Sequence, residues 1–255
     1  MKSGTTYWTH KKENAKLAKE HTEKMAKERP NQIKKCIENS VIYGGPDKKP
    51  ENNPNIGKPE FIFDNIDSVA AAFKYKNGRT AVLNFASYKN PGGKFIEGSS
   101  AQEEALCHSS FLYNVLREMK GYYTYNNEHK NKALYTNRGI FSPDVSFECG
   151  SEFFTACVIT VPAPNKKAAQ MYCDVTEEEN NAHLHARIEF IRRIAEEQKI
   201  DTLILGAFGC GVFGQNPDTV AEAIKEIFKT STISKIILAV PGTGNNPETF
   251  KRVFA

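Results

Sequence analysis

Two adjacent carboxylates follow a glycine-containing segment in the first half of this 255-residue chain. Glu103 and Glu104 come directly after residues 84–102, which include Gly92 and Gly93. A carboxyl group whose pKa is raised by burial or by a neighbouring carboxylate can protonate a departing oxygen and then activate water. The pair therefore predicts acid–base hydrolysis at the mouth of a ligand site.

A structural interpretation of the same segment competes with this one. Ser99 and Ser100 stand where a helix would begin, with Gln102 and Glu103 three residues further on, which is the spacing of a capping box. In that interpretation Gln102 or Glu103 only caps the helix, and Glu104 is a solvated side chain. The local sequence leaves both interpretations open.

A second glycine-rich segment, residues 206–216, follows a short apolar run and precedes a predicted helix. Its backbone N–H groups could surround phosphate oxygens at the helix entrance, although the segment matches neither the P-loop pattern nor the dinucleotide fingerprint. Phe208 and Phe213 could stack on a base or a ribose, but an aromatic residue at a strand end more often belongs to the core. Cys210 has no His or Asp at a telling spacing, so we expect a structural role for its thiol.

Alternating strands and helices must position these two segments. The predicted strands are 61–63, 81–86, 139–141, 153–161, 202–206 and 235–240, and the predicted helices are 11–29, 32–38, 66–75, 101–119, 177–198, 218–228 and one that begins near 247. This alternation predicts an α/β fold with a largely parallel sheet covered by helices. In such sheets ligands bind beyond the carboxyl ends of the strands, so both segments should line one cleft.

Composition places the chain among compact globular proteins. Hydrophobic residues make up 40% and charged residues 25%, which excludes collagen-like, coiled-coil and wholly disordered chains. No apolar run approaches the roughly 18 residues that span a bilayer, and the first residues lack the apolar stretch of a signal peptide. The six cysteines are scattered without a Cys-x-x-Cys pair, so we expect reduced thiols, no metal site and an intracellular, cytoplasmic location.

Positive charge is concentrated near the start of the chain. The whole chain carries a formal net charge of +4, and residues 1–36 contain ten Lys and Arg against four Glu. Such a segment could contact nucleic acid or an acidic polymer, but its interleaved acidic residues favour a helix with a solvated face. Residues 43–59, which are rich in Gly, Pro and Asn, are predicted to form an irregular surface loop or a lid.

Several motifs are similar to those of one known family. Asn84-Phe-Ala-Ser, Asn90-Pro-Gly-Gly and Ala101-Gln-Glu-Glu-Ala-Leu-Cys resemble the microbial-type poly(ADP-ribose) glycohydrolases, whose signature is three glycines, a short spacer and Gln-Glu-Glu. Ser142-Pro-Asp-Val and residues 206–214 also look like that family. The resemblance covers most of the chain, from the N-terminal helix to the last strand.

The resemblance implies a three-layer α/β/α macrodomain-like fold with a mixed, largely parallel sheet and an N-terminal helical extension. It implies a single catalytic domain over residues 1–255, on which residues 1–60 pack as helices and an irregular loop. The implied activity is hydrolysis of the ribose–ribose O-glycosidic bonds of poly(ADP-ribose), which releases ADP-ribose without a metal or organic cofactor. We expect a monomer, because no long apolar helical stripe is left over.

The resemblance also implies the residues of the site. Glu104 matches the catalytic glutamate, which would act as general acid and base, and Glu103 matches its catalytic neighbour. The implied substrate-binding residues are Gln102, Asn90, Gly92, Gly93, Gly209, Cys210, Gly211, Val212 and Phe213. Among these, residues 209–212 match the diphosphate-binding loop, and Phe213 matches an aromatic residue near the ribose or adenine.

The third glycine of the signature is Lys94 in this chain. Its side chain could crowd the ribose or prevent a positive φ, or it could point outward and pair with a substrate phosphate. Retention of Gln102, Glu103 and Glu104 favours an enzyme, because a pure binding protein has no chemical need for paired carboxylates. Three alternatives remain: an ADP-ribose reader without turnover, a hydrolase of another ADP-ribosyl linkage (nucleotide, DNA base or protein side chain), and a DNA-binding module.

Overall fold

The computed structural model of the protein describes residues 4–255. Its helices are α1 (Gly4–Glu28), α2 (Pro30–Asn39), α3 (Ser68–Tyr75), α4 (Gln102–His108), α5 (Leu112–Leu116), α6 (Lys120–Glu128), α7 (Lys166–Cys173), α8 (Glu177–Glu197), α9 (Pro217–Phe228) and α10 (Asn245–Phe254). Its strands are β1 (Val41–Tyr43), β2 (Glu60–Asp64), β3 (Thr80–Phe85), β4 (Gly139–Cys149), β5 (Glu152–Val161), β6 (Thr202–Leu205) and β7 (Lys235–Ala239). None of the helices in this part of the chain combines the length and the apolar character that crossing a bilayer requires.

These strands form one mixed sheet in the order β1-β4-β5-β3-β6-β7-β2. The strands β5, β3, β6, β7 and β2 run parallel, whereas β4 runs antiparallel to both β5 and β1. Strand β3 is the central strand, and β6 is its parallel neighbour. The chain segments that leave β3 and β6 therefore start side by side at the same edge of the sheet.

Helices cover both faces of the sheet. Alternate residues of β3 face opposite sides, so that Ala81 and Leu83 join a core with α8, α9 and α10, and Val82 joins a core with α1 to α6. Burial on both faces is typical of a central parallel strand. The predicted three-layer α/β/α architecture is confirmed, and the N-terminal helices α1 and α2 belong to one of its outer layers.

Most predicted elements are present, but α1 begins at Gly4 instead of residue 11, β4 extends to Cys149 instead of residue 141, and the single helix over 101–119 is wrong. The chain leaves the helical conformation between α4 and α5, where Ser110 forms a β-bridge with Phe147 of β4. The carbonyl of Ser109 accepts a hydrogen bond from Glu148 N at 2.7 Å. Contacts with β4 thus override the local helix propensity. The sequence also does not predict α6, α7 or β1.

The second half of the irregular segment 43–59 lies away from the carboxyl ends of the strands. Its polar groups bond to Glu197 at the end of α8 and to Thr230 and Thr232 just before β7. These anchor residues stand at the amino-terminal ends of β6 and β7. From residue 51 onward the segment is therefore a surface loop at the opposite edge of the sheet and not a lid.

Candidate active site

The two glycine-containing segments lie at one edge of the sheet, as the sequence predicts. The β3–α4 loop (residues 86–101) leaves the central strand, and the β6–α9 loop (residues 206–216) leaves its parallel neighbour. The rings of Phe85 and Phe208, at the start of the two loops, meet edge to face with centroids 5.7 Å apart. The loops therefore border a common cleft beyond the carboxyl ends of β3 and β6.

Gln102, the first residue of α4, ties the helix to the central strand. Its amide oxygen accepts from Phe85 N at 2.9 Å, and its amide nitrogen donates to Leu83 O at 2.9 Å and to Ser68 Oγ at 3.1 Å. The side chain thus completes the ladder of β3 at the point where β3 ends. Gln102 holds the following two glutamates at a fixed position relative to the sheet.

Glu103 is buried and held by donors from β3 and from the loop that follows it. Its Oε2 accepts from Ser87 N at 2.7 Å, and its Oε1 accepts from Asn84 Nδ2 at 3.2 Å. Burial raises the pKa of Glu103 to about 8, and the charge of Glu104 adds to the rise, whereas the hydrogen bonds oppose it. Glu103 therefore carries a proton at neutral pH.

Asn84 is a site residue that the sequence analysis does not single out as functional. Its side chain is fully buried, and its Nδ2 bridges Glu103 and Thr160 Oγ1, the latter at 3.3 Å. Its Oδ1 is buried without a hydrogen-bond partner among the described residues. The sequence does contain a feature that could have identified Asn84 as a site residue, because Asn84 is a polar residue in the apolar run 81–86.

Glu104 is buried at the start of α4 and joins the helix to the β3–α4 loop. Its Oε1 accepts from Lys94 N at 2.9 Å, and its Oε2 accepts from Ala101 N at 3.1 Å. Ala101 is the N-cap residue, so the expectation that Ser99 or Ser100 caps the helix is wrong. The alternative of a solvated Glu104 is also wrong, since only 6% of the residue is exposed.

Gly93 lies where the two carboxyl groups meet. Its φ is +62°, and a Cβ at this position would lie 2.6 Å from Glu104 Oε1 and 3.0 Å from Glu103 Oε2. Gly92 has a φ of +65°, and a Cβ there would lie 2.7 Å from the ring of Tyr113. Both positions require glycine for conformation and for space, and Gly93 leaves the carboxyl pair uncovered by any side chain of its own.

Lys94 and Asn90 are exposed residues of the same turn. Lys94 has a φ of −113°, so the concern that a side chain here would conflict with a positive φ is wrong. The carbonyl of Asn90 accepts from Gly93 N at 3.1 Å, and its own N–H donates to Ser87 Oγ at 3.2 Å. Asn90 thus closes the turn that presents Gly93 to the carboxylates.

Helix α1 supports this turn from outside. Gly98, with a φ of +83°, lies directly against the helix, and a Cβ there would lie 2.0 Å from Lys11 O and 2.8 Å from Ala15 N. Asn14 Nδ2 donates to Gly98 O at 3.5 Å. The N-terminal helical extension therefore packs on the loop that carries the carboxylates.

The β6–α9 loop keeps backbone donors available. Gly209 has a φ of +77°, and the loop is closed by hydrogen bonds from Gln215 N to Gly209 O and from Gly214 N to Gly211 O, both 3.1 Å long. None of the hydrogen bonds among the described residues uses the N–H groups of Gly211, Val212 or Phe213. Three successive N–H groups ahead of a helix N-terminus can bind an anion such as a diphosphate.

The side chains of this loop that pack on the core differ in how far they are buried. Phe208 is buried in the core, as the simpler interpretation predicts, whereas Phe213 is half-buried and meets Tyr135 edge to face at 6.2 Å. Burial raises the pKa of the Cys210 thiol to about 12. The thiol is therefore protonated at neutral pH, which removes the thiolate that a nucleophilic role would need.

The protein is a three-layer sandwich, and its cleft lies between a buried pair of glutamates and a loop of open backbone amides. This architecture is typical of a macrodomain-like glycosidase. The family model described as "Microbial-type PARG, catalytic domain" matches residues 5–148, which is more than half of the chain. The chain belongs to this family, the microbial-type poly(ADP-ribose) glycohydrolases. None of the curated proteins matches the chain.

Solved structures of the same family are similar over nearly the whole chain. Poly(ADP-ribose) glycohydrolase from Thermomonospora curvata is 26% identical with a TM-score of 0.84, and the match covers 95% of this chain and 99% of that one. The enzyme from the same organism bound to the inhibitor ADP-HPD is 25% identical with a TM-score of 0.81, covering 94% and 98%. Poly(ADP-ribose) glycohydrolase from Deinococcus radiodurans in complex with ADP-ribose is 25% identical with a TM-score of 0.77, covering 88% and 97%.

These matches confirm the predicted family, the predicted fold and the predicted class of enzyme, a glycosidase that hydrolyses poly(ADP-ribose).

Proposed function

We propose that the cleft between the β3–α4 and β6–α9 loops hydrolyses the ribose–ribose O-glycosidic bond of poly(ADP-ribose), with Glu104 as general acid and then as general base. One observation carries the assignment: Glu104 Oε1 and Glu103 Oε2 lie 2.6 Å and 3.0 Å from the Cβ position of Gly93, a residue that has no side chain to separate them. The choice of Glu104 as the acid follows the match of Gln102-Glu103-Glu104 to the family motif.

The β6–α9 loop binds the substrate diphosphate. The open N–H groups of Gly211, Val212 and Phe213 support this assignment, and Gly209 and Cys210 form the turn that aligns them. The ring of Phe213 contacts the adjacent ribose or adenine. Complexes of related enzymes with ADP-ribose and with ADP-HPD support ADP-ribose as the unit that is bound. On the other side of the cleft, Asn90, Gly92 and Gly93 place the ribose against the carboxyl pair.

The reaction begins with one proton on the carboxyl pair. Burial raises the pKa of Glu103 to about 8, so Glu103 holds this proton at neutral pH and passes it to Glu104, the neighbouring carboxyl group beside Gly93. Glu104 transfers it to the departing ribose oxygen while the bond from that oxygen to the anomeric carbon breaks, and the electron pair of the bond stays on the oxygen. Water then attacks the oxocarbenium-like carbon and returns a proton to Glu104.

The test is release of ADP-ribose from poly(ADP-ribose) by the wild type and by Glu104→Gln. Loss of the general acid should lower the rate about a thousandfold, whereas ADP-ribose affinity, measured by calorimetry, should stay within about threefold because the diphosphate loop is untouched. Glu97→Gln is the matched control, since Glu97 is an exposed glutamate of the same loop. Undiminished release by Glu104→Gln would contradict the assignment, and binding without release by the wild type would select the reader alternative.

No observation favours the reader. That alternative rests on Lys94 blocking the reaction, but the Lys94 side chain is exposed and its backbone takes an ordinary conformation. The supporting contacts of Glu103 and Glu104 are those that a working acid–base pair needs.

The chain acts as one catalytic domain, as a monomer in the reducing cytoplasm. Packing of α1 on the β3–α4 loop supports a single domain, and the six free cysteines support a reducing compartment. Among residues 10–255 the large exposed hydrophobic residues belong to five different elements and loops, which supports a monomer: Leu17, Ile56, Phe153, Met171, Tyr172 and Val212. A solution mass of two chains by light scattering would contradict the monomer.

A further inference from the structure

Lys94 lies beside the proposed general acid, and its ammonium group is unpaired within the part of the chain that the structure describes. Its backbone N–H donates to Glu104 Oε1 at 2.9 Å, which fixes the start of its side chain next to the reacting group. The side chain itself is exposed, and among residues 10–255 its ammonium group has no hydrogen-bond or ion-pair partner, not even Glu97 one turn further on.

The position of Lys94 separates it from the diphosphate of the bound unit. That diphosphate is assigned to the β6–α9 loop, whereas Lys94 belongs to the β3–α4 loop on the side of Glu104. Glu104 protonates the oxygen that leaves, so a group anchored beside Glu104 lies toward the departing part of the substrate. A lysine ammonium on its flexible four-carbon stem can follow a phosphate there without a fixed geometry.

The departing part of poly(ADP-ribose) carries such a phosphate. When a terminal unit is released, the leaving oxygen belongs to a ribose of the next unit, and the 5′ carbon of that same ribose bears the diphosphate of the remaining chain. A phosphate is therefore attached to the leaving sugar itself, close to the bond that breaks.

We propose that the Lys94 ammonium binds the diphosphate of the leaving chain and so favours polymer over substrates whose leaving group has no phosphate. This inference rests on the proposed function, because it takes Glu104 as the group that faces the leaving oxygen. Lys94 is in this sense a specificity residue and takes no part in proton transfer.

The experiment compares two substrates: poly(ADP-ribose), and ADP-ribose that carries a 4-nitrophenyl group on the anomeric oxygen. For Lys94→Gln the ratio of kcat/KM for polymer to kcat/KM for the nitrophenyl substrate should fall about tenfold at low ionic strength, as for the loss of one charge-assisted contact. The slope of log kcat/KM for polymer against log salt should become shallower by about 0.7, the value for one phosphate contact on a single-stranded polyanion. Lys94→Arg should keep the ratio of the wild type.

Lys229→Gln is the matched control, because Lys229 is an exposed lysine at the end of α9 and its loss changes the net charge equally. It should leave the ratio unchanged. A ratio for Lys94→Gln equal to that of the wild type overturns the inference. Equal losses of kcat/KM on both substrates, together with weaker ADP-ribose binding, also overturn the inference. That result would mean that Lys94 contacts the ADP-ribose unit being released and not the leaving chain. Failure of the proposed function is a separate result, seen as no release of ADP-ribose from polymer by the wild type.

Discussion

The two loops that border the cleft are built in different ways. The β3–α4 loop leads to Glu103 and Glu104 at the start of α4, and each of their carboxyl oxygens accepts a hydrogen bond from the protein. In the β6–α9 loop three successive N–H groups are open, and Val212 is 85% exposed. Groups that transfer protons have to be held in position before the substrate binds. Backbone N–H groups that bind a diphosphate must instead be free of hydrogen bonds within the protein.

The contacts that hold the two loops against the rest of the protein also differ. The β3–α4 loop is backed by the α1 backbone through Gly98, so its position depends on packing. The β6–α9 loop is held at its base by the buried amide of Gln215, whose Nε2 donates to Pro164 O and to Asn180 Oδ1, both at 2.9 Å. The carbonyl of Phe213 also accepts a hydrogen bond from Lys167 N at 3.0 Å, so the second loop is held from behind while the N–H groups at its tip remain open to a ligand.

The strongest test of this comparison is Gly93→Ala. A Cβ at Gly93 would lie 2.6 Å from Glu104 Oε1, so the carboxyl group or the turn has to move. A displacement of about 1 Å at a reacting group can lower a rate about a hundredfold, and we expect kcat for ADP-ribose release to fall by about that factor. The affinity for ADP-ribose should fall much less, because the β6–α9 loop is unchanged.

Gly150→Ala is the control for backbone strain. Gly150 has the same φ of +62°, and a Cβ there would meet nothing within 4 Å. Each substitution should lower the free energy of unfolding by about 1 kcal/mol through the positive φ, as urea denaturation would measure, but only Gly93→Ala should lower kcat. A Gly93→Ala enzyme with the kcat of the wild type would show that the carboxyl pair is not held in a reactive geometry.

The sequence predicts the parts of this comparison that depend on local pattern. Apolar runs followed by glycines and by helix-forming residues locate both loops at the carboxyl ends of strands, and the Gln102-Glu103-Glu104 motif locates the carboxyl pair. Parallel strands bring their carboxyl ends to the same edge, so the common cleft also follows from the pattern.

The remaining features depend on contacts between distant parts of the chain. The break near Ser110 requires the bridge to Phe147, and the pairing of Asn84 with Glu103 requires α4 to pack against β3. The conformation of Lys94 is set by its hydrogen bond to Glu104, ten residues away. Local propensity carries no information about these contacts, which is why the single helix over 101–119 is wrong.

A smaller effect is expected from pH. It should change catalysis by the carboxyl pair but not ADP-ribose binding by the β6–α9 loop. The raised pKa of Glu103, about 8, means that Glu103 keeps its proton below that pH and loses it above. We therefore expect kcat to fall about tenfold between pH 8 and pH 9, as for loss of one essential proton. The affinity for ADP-ribose should stay constant over that range, because the pKa of Cys210, the titratable group of the β6–α9 loop, is about 12.

The same titration has a consequence for stability. Glu103 has a folded-state pKa above its unfolded value of about 4.5, so the folded state binds the extra proton and loses stability as pH rises from about 5 through 8. Glu103→Gln, which cannot titrate, should remove this part of the pH dependence of the free energy of unfolding. A pH dependence of kcat and of stability that Glu103→Gln leaves intact would assign the titration to another group.

The smallest expected effect is on the binding loop, in Gly209→Ala. The φ of Gly209 is +77°, and a Cβ there would lie 2.8 Å from both Ala163 Cβ and Gln215 Cγ, so the turn below the open N–H groups has to shift. We expect the Kd for ADP-ribose, measured by calorimetry, to rise about fivefold, as for one weakened hydrogen bond. At saturating polymer, kcat should stay within about twofold of the wild type, because the carboxyl pair lies in α4 on the other side of the cleft. A large loss of kcat at unchanged Kd would reverse the roles of the two loops.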